Sequence, residues 1–88
     1  MDIRIATHTL IRAAERGASQ EEIERAISEG TRQPAKGDRQ SSSLIIDFDS
    51  FRNGKYYKEK KIEVIFVQEG ESIITITVYV FYGKFNKI

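Results

Sequence analysis

From Lys60 to Gln68, and again from Ile73 to Tyr82, side chains alternate with a period of two, a pattern that a β-strand can bury on one face and a helix cannot. Ile62, Val64 and Phe66 take one face of the first run, and Lys61, Glu63, Ile65 and Val67 take the other. In the second run Ile74, Ile76, Val78 and Val80 share a face expected to meet helices. Thr75, Thr77, Tyr79 and Phe81 share the opposite face, which is polar and aromatic and is either solvated or the floor of a site. Glu69-Gly70-Glu71-Ser72 joins the two runs as a hairpin turn. Asn53-Gly54 marks a second tight turn, after the Ile- and Phe-rich residues 44–51.

The first third of the chain follows the helical period instead. Ile3 and Ile5, alternating with Asp2 and Arg4, form a short leading strand or extended entry. Thr7 is positioned to cap a first helix, whose apolar stripe is Leu10, Ile11 and Ala14 and whose stop is Gly17. Ser19-Gln20-Glu21-Glu22 is a capping box that opens a second helix, with Ile23, Ala26 and Ile27 facing inward and Gly30 ending it. Acidic side chains crowd its first turn, where the helix dipole favours them. Residues 31–43 are polar and contain Pro34 and Gly37, which predicts a mobile loop, or a lid. The expected fold is α+β: two N-terminal helices packed on a twisted antiparallel sheet of three to four strands, in one domain spanning residues 1–88.

Composition narrows the chemistry. Of 88 residues none is cysteine and one is histidine, which excludes disulfides, cysteine-ligated zinc and thiol nucleophiles. Glycine-rich phosphate loops, H-E-x-x-H, calcium loops and nucleophile elbows are absent as well, so no cofactor or metal is expected. No apolar run approaches the roughly 18 residues of a membrane span. The opening Met1-Asp2-Ile3-Arg4 lacks the plan of a signal peptide, and the expectation is a cytoplasmic protein with no membrane partner. Net charge is +1, so the distribution of charge says more than its sum. Residues 52–61 hold Arg52, Lys55, Lys58, Lys60 and Lys61 against Glu59 alone. Residues 15–29 hold five glutamates against Arg16 and Arg25. The basic stretch reads either as a partner-facing surface or as a strand edge guarded by lysines.

Three groups of residues can carry chemistry. His8, Arg12 and Arg16 recur at i, i+4 and i+8, one stripe of the first helix, where two adjacent cations gain from an anion between them. The plain alternatives are an Arg12–Glu15 pair and an Arg16 favoured by the helix C-terminus. Lys58, Lys60 and Lys61 alternate with Tyr56 and Tyr57 nearby, a combination that can track a nucleic-acid backbone and stack bases. Thr75, Thr77 and Tyr79 line up hydroxyls on the last strand, where the same residues also serve strand propensity.

His8-x-x-x-Arg12-x-x-x-Arg16-Gly17-Ala18-Ser19, a second helix and a terminal Thr75-x-Thr77-x-Tyr79 strand together resemble an uncharacterised prokaryotic domain-of-unknown-function family. Its members open with H-x-x-x-R-x-x-x-R-G-[IV]-S and close with a V-x-T-x-Y strand. Residues 57–65 followed by Gly70 are also similar to one branch of it, and the resemblance covers nearly the whole chain. Ala18 departs from the pattern, since a larger aliphatic residue is usual there. That family is similar to the RelE/ParE and BrnT toxins of toxin–antitoxin modules, within the barnase–EndoU–colicin–RelE class of ribonucleases. The resemblance implies a RelE-like sheet, an RNA substrate and a cognate antitoxin as protein partner.

Two functions follow as expectations. In metal-independent RNA cleavage, His8 is the acid or base, Arg12 and Lys60 stabilise the phosphate, and Tyr79 orients the hydroxyl or leaving group. Arg16, Lys58 and Thr77 would bind the substrate. In the alternative, the chain is a non-catalytic module that binds a protein through a sheet edge or RNA through the basic hairpin. Convergence of these groups in one concave site separates the two.

Overall fold

The computed structural model describes residues 2–85. In chain order the elements are β1 (Asp2–Arg4), α1 (Thr7–Arg16), α2 (Gln20–Glu29), β2 (Thr31–Pro34), β3 (Gln40–Arg52), β4 (Lys55–Glu69) and β5 (Ser72–Gly83). They form one five-stranded sheet of order β1-β5-β4-β3-β2 with both helices on one side. The expectation of three to four antiparallel strands is thereby corrected: there are five strands and the sheet is mixed, because β1 runs parallel to β5.

Both added strands lie at the margins. β1 pairs Asp2–Arg4 with Ser72–Ile74, and the two helices carry the chain away from it, as a parallel pairing requires. β2 arises inside the stretch expected to be a loop. Thr31–Pro34 pairs with Gln40–Ser43 although its residues are polar and exposed, so hydrogen bonding rather than burial makes this strand. Pro34 is tolerated because β2 is an edge. Only residues 35–39 remain as a connecting turn, with Gly37 at φ 70°.

α2 and β4 fold as their patterns dictate. The capping box is complete, with the Ser19 hydroxyl accepting from the Glu22 amide and the Glu22 carboxylate accepting from the Ser19 amide. Ile23, Ala26 and Ile27 are buried against Ile62, Val64 and Phe66 of β4. Asn53 and Gly54 both adopt positive φ in the β3–β4 turn, the left-handed pair that a tight hairpin needs.

α1 does not follow its apolar pattern. Leu10, Ile11 and Ala14, expected inside, are exposed, and the buried residues are Thr9 and Ala13. Ala6, not Thr7, is the N-cap and makes no side-chain cap bond. Polar anchors set the helix rotation. At its start the Thr75 hydroxyl donates to the Thr9 hydroxyl at 2.9 Å and accepts from the Ala6 amide at 3.0 Å. At its end three side chains from the sheet reach the carbonyls that a helix leaves unpaired. Arg52 donates to Glu15, Tyr82 to Arg16 and Lys60 to Gly17. Gly17 makes this close approach possible, since its φ is 93° and a Cβ there would run into the Tyr82 hydroxyl and the Arg52 guanidinium.

β5 is corrected in the same way. Its register against β4 shifts between Ile65 and Phe66: Ile65 faces Thr77 while Phe66 faces Thr75, leaving Ile76 as the extra residue. Ile73 and Thr75 therefore point to the helices before the bulge, and Val78 and Val80 after it. Ile74 and Ile76 lie on the side without helices. A period-two reading of the strand cannot see the inserted residue.

β3 and β4 outrun their neighbour. Pairing of β4 with β5 ends at Glu59 and Gly83, whereas β3 and β4 stay paired as far as Arg52 and Lys55. The tip of that hairpin thus projects as a two-stranded ribbon.

Candidate functional site

The helix-covered side of the sheet offers little room for a site. Its polar groups are already engaged with one another. Lys60 is 7% exposed. Its ammonium donates to the Gly17 carbonyl at 2.8 Å and to the Glu22 carboxylate at 3.0 Å, and lies 5.5 Å from the Phe48 ring centroid. The Ser42 hydroxyl donates to the Ala26 carbonyl near the end of α2. Burial pushes the Tyr82 phenol above its ordinary value, and the nearby Arg52 guanidinium, 5.0 Å from the ring, opposes that shift. No buried side-chain polar atom among the described residues lacks a partner.

The expected catalytic set does not assemble. His8 is exposed in the first turn of α1 and makes no hydrogen bond or ion pair among the described residues. Lys60 meets α1 at Gly17, nine residues further on, so the two sit about 14 Å apart along the helix axis. Arg12 pairs with Glu15 at 2.8 Å on the exposed flank. Lys58 is exposed on the projecting ribbon. Arg16 and Tyr79, however, are brought together. The guanidinium donates to the Val78 carbonyl at 2.6 Å and lies 5.1 Å from the Tyr79 ring centroid. Val78 faces the helices, so Arg16 reaches from α1 around β5 to a ring on the far side.

That far side has no helix on it. Here β4 presents Lys61, Glu63, Ile65 and Val67, and β5 presents Ile74, Ile76, Thr77, Tyr79 and Phe81. Glu63 is directly opposite Tyr79, and Lys61 directly opposite Phe81. Such cross-strand neighbours have Cβ atoms about 4.5–5.5 Å apart. The Lys61 ammonium is 5.9 Å from the Phe81 ring centroid. Neither Lys61 nor Glu63 makes a hydrogen bond or ion pair among the described residues. Tyr79 is 42% exposed and Phe81 45%. Two cations, a carboxylate, a hydroxyl and two accessible rings thus share one small patch. Lys61 was grouped by sequence with Lys58 and Lys60, and Phe81 with the polar and aromatic face of the last strand; Glu63 was not singled out, although the alternation had placed it on the face away from Ile62.

Two clefts lie elsewhere. One of about 400 Å³ is lined by Arg32, Gln33, Pro34 and residues 37–40 at the β2–β3 turn. Another of about 500 Å³ lies beside α2 and is lined by Glu22, Arg25, Ile45, Ile46 and Asp47. Neither includes His8, Lys61 or Tyr79. Among the described residues no three His, Asp or Glu side chains come together as metal ligands, and no helix is long and apolar enough to cross a membrane.

Comparison with known proteins returns no match: no family model, no curated protein and no solved structure matches the chain. The likeness to the toxin-related family therefore rests on the motif residues themselves.

Proposed function

We propose that this chain is a cytoplasmic RNA-binding protein whose site is the helix-free face of the sheet. The observation that carries the reading is the pairing of Lys61 with Phe81 and of Glu63 with Tyr79 on a face that no helix among the described residues covers, with Arg16 beside it. Accessible rings offer stacking surfaces to bases, and the two cations offer charge to phosphates. This is the chemistry of single-stranded RNA recognition, which uses splayed bases on aromatic side chains.

A second reading, RNA cleavage without a metal, is favoured by Glu63. Its carboxylate has no hydrogen-bond or ion-pair partner among the described residues and stands across from a phenol flanked by Arg16. A base for the 2′-hydroxyl, a cation for the developing phosphorane charge and a proton donor are the groups that such a reaction needs. In this arrangement Glu63 and Tyr79 replace His8 and Lys60 of the sequence-based scheme.

Incubation of a labelled mixed-sequence RNA with the protein in the presence of EDTA separates the readings. Cleavage that Glu63→Gln reduces by about 10²-fold or more, and that His8→Ala leaves intact, supports the hydrolytic reading. Retention of the RNA without cleavage leaves the binding module. A folded protein that neither retains nor cuts RNA contradicts both.

A further inference from the structure

Six large hydrophobic side chains are exposed among the described residues: Leu10, Ile11, Phe51, Tyr56, Tyr79 and Phe81. Four of them are aromatic, and those four share one side of the sheet. Tyr79 and Phe81 lie on the helix-free face itself. Phe51 and Tyr56 lie on the projecting ribbon, paired across it, and their side follows from their neighbours. Tyr57 stacks at 5.5 Å on Tyr82, whose hydroxyl is bonded to α1, so Tyr57 faces the helices. Arg52, bonded to Glu15 of α1, faces them too. The β3–β4 register shifts between Asp47 and Ser50, and beyond that shift successive residues again point to opposite sides, which turns the paired Phe51 and Tyr56 to the helix-free side.

The ribbon pair is built as a platform. The two rings meet edge to face at 5.5 Å, and the Tyr56 hydroxyl donates to the Asp49 carboxylate at 2.8 Å, which fixes the ring. Phe51 is nevertheless 70% exposed and Tyr56 50%. The cross-strand pair itself contributes at most about 1 kcal/mol to the hairpin, and most of the Phe51 ring stays in water. Arg52, Lys55 and Lys58 give the tip an excess of positive charge over Asp49. From Lys61 to Tyr56 the strand covers on the order of 17 Å, a span that a few extended nucleotides bridge.

We infer that Phe51 and Tyr56 form a second stacking subsite, for an unpaired nucleobase flanking the bases held at Tyr79 and Phe81, so that the ligand is a single strand of RNA running from the sheet face onto the ribbon. This inference rests on the RNA-binding reading of the face and adds the requirement that the bases be unpaired. Duplex RNA keeps its bases in the stack and offers the ribbon only phosphates.

The test is fluorescence anisotropy with a labelled single-stranded RNA and with the same sequence annealed to its complement. The proteins are wild type, Phe51→Ala/Tyr56→Ala, Tyr56→Phe and Tyr79→Ala/Phe81→Ala. The ribbon double variant is expected to bind the single strand at least about five-fold more weakly for each ring lost, and the duplex as wild type does. Tyr56→Phe keeps the ring and is expected to bind within two-fold of wild type. Unchanged single-strand binding by the ribbon variant, or equal loss on both RNAs, overturns the subsite. Loss with the ribbon variant alone overturns the role of the sheet face and keeps the ribbon. No binding by folded wild type removes both.

Discussion

Lys60 and Lys61 are neighbours in one strand and differ in almost every physical respect. Lys60 is sealed under α1, where the Glu22 carboxylate and the Gly17 carbonyl satisfy its charge. Lys61 lies on the open face, with an aromatic ring beside it and no ion-pair partner among the described residues. The contrast extends to the two sides of the sheet. On the covered side Ser42, Arg52, Lys60, Thr75 and Tyr82 each close a contact that holds a helix in place. On the open side the groups face outward with unspent hydrogen-bonding capacity. A run of lysines read as one basic patch is therefore two things, a helix clamp and a ligand-facing charge, divided by the pleat of the strand.

The sharpest way to break this division is to remove one ring from each side. Phe66 is fully buried, and Phe66→Ala is expected to cost about 3–5 kcal/mol in urea denaturation. Phe81→Ala should stay within about 0.5 kcal/mol of wild type. Comparable losses would mean that the open face carries structural weight and is not free for a ligand.

A second comparison uses the lysines. Lys60→Met keeps the aliphatic stem but removes the partner of a largely buried carboxylate and a helix-end carbonyl, and should destabilise by about 2 kcal/mol. In a double-mutant cycle with Glu22→Gln the two losses should be less than additive, because the pair shares one interaction. Lys61→Met should leave the denaturation midpoint where it is.

The smallest effect expected on the covered side belongs to Tyr82. Tyr82→Phe removes the hydrogen bond to the Arg16 carbonyl and should cost about 1 kcal/mol. It also tests pH dependence. Burial raises the Tyr82 value above the ordinary phenol value of about 10, so its neutral form is favoured in the folded protein. The stability this contributes is complete below pH of about 10 and is lost as the pH rises through the higher folded value. Alkaline denaturation of Tyr82→Phe should lack that component.

How far the sequence discloses this arrangement depends on whether local periodicity or tertiary hydrogen bonding decides. α2, β4 and the Asn53-Gly54 turn are legible because burial, capping and turn chemistry all agree there. α1 is not, because Thr9, Thr75 and the helix-end carbonyls fix its rotation from residues distant in sequence, and they turn Leu10 and Ile11 outward. The bulge at Ile76 turns over the part of β5 before it, so that Ile73 and Thr75 meet the helices in place of Ile74, for the same reason, being set by pairing with β4 and not by composition. The alternation of Ile3 and Ile5 with Asp2 and Arg4 marks β1 as extended but not its parallel pairing with β5, and β2 is too short and too polar to announce itself. Of the site, Arg16 and Tyr79 could be named from spacing, and the register between β4 and β5 was needed to set Lys61 and Glu63 beside Tyr79 and Phe81. His8 kept its place on the helix stripe but met none of the groups with which it was grouped.

The most direct test of the division is the salt dependence of single-stranded RNA binding by wild type and Lys61→Met at matched stability. A Lys61 that contacts phosphate predicts weaker binding at low salt and a slope of log affinity against log salt that is shallower by about 0.7. Identical affinity and identical slope would contradict the assignment of the helix-free face as the site that meets the RNA backbone.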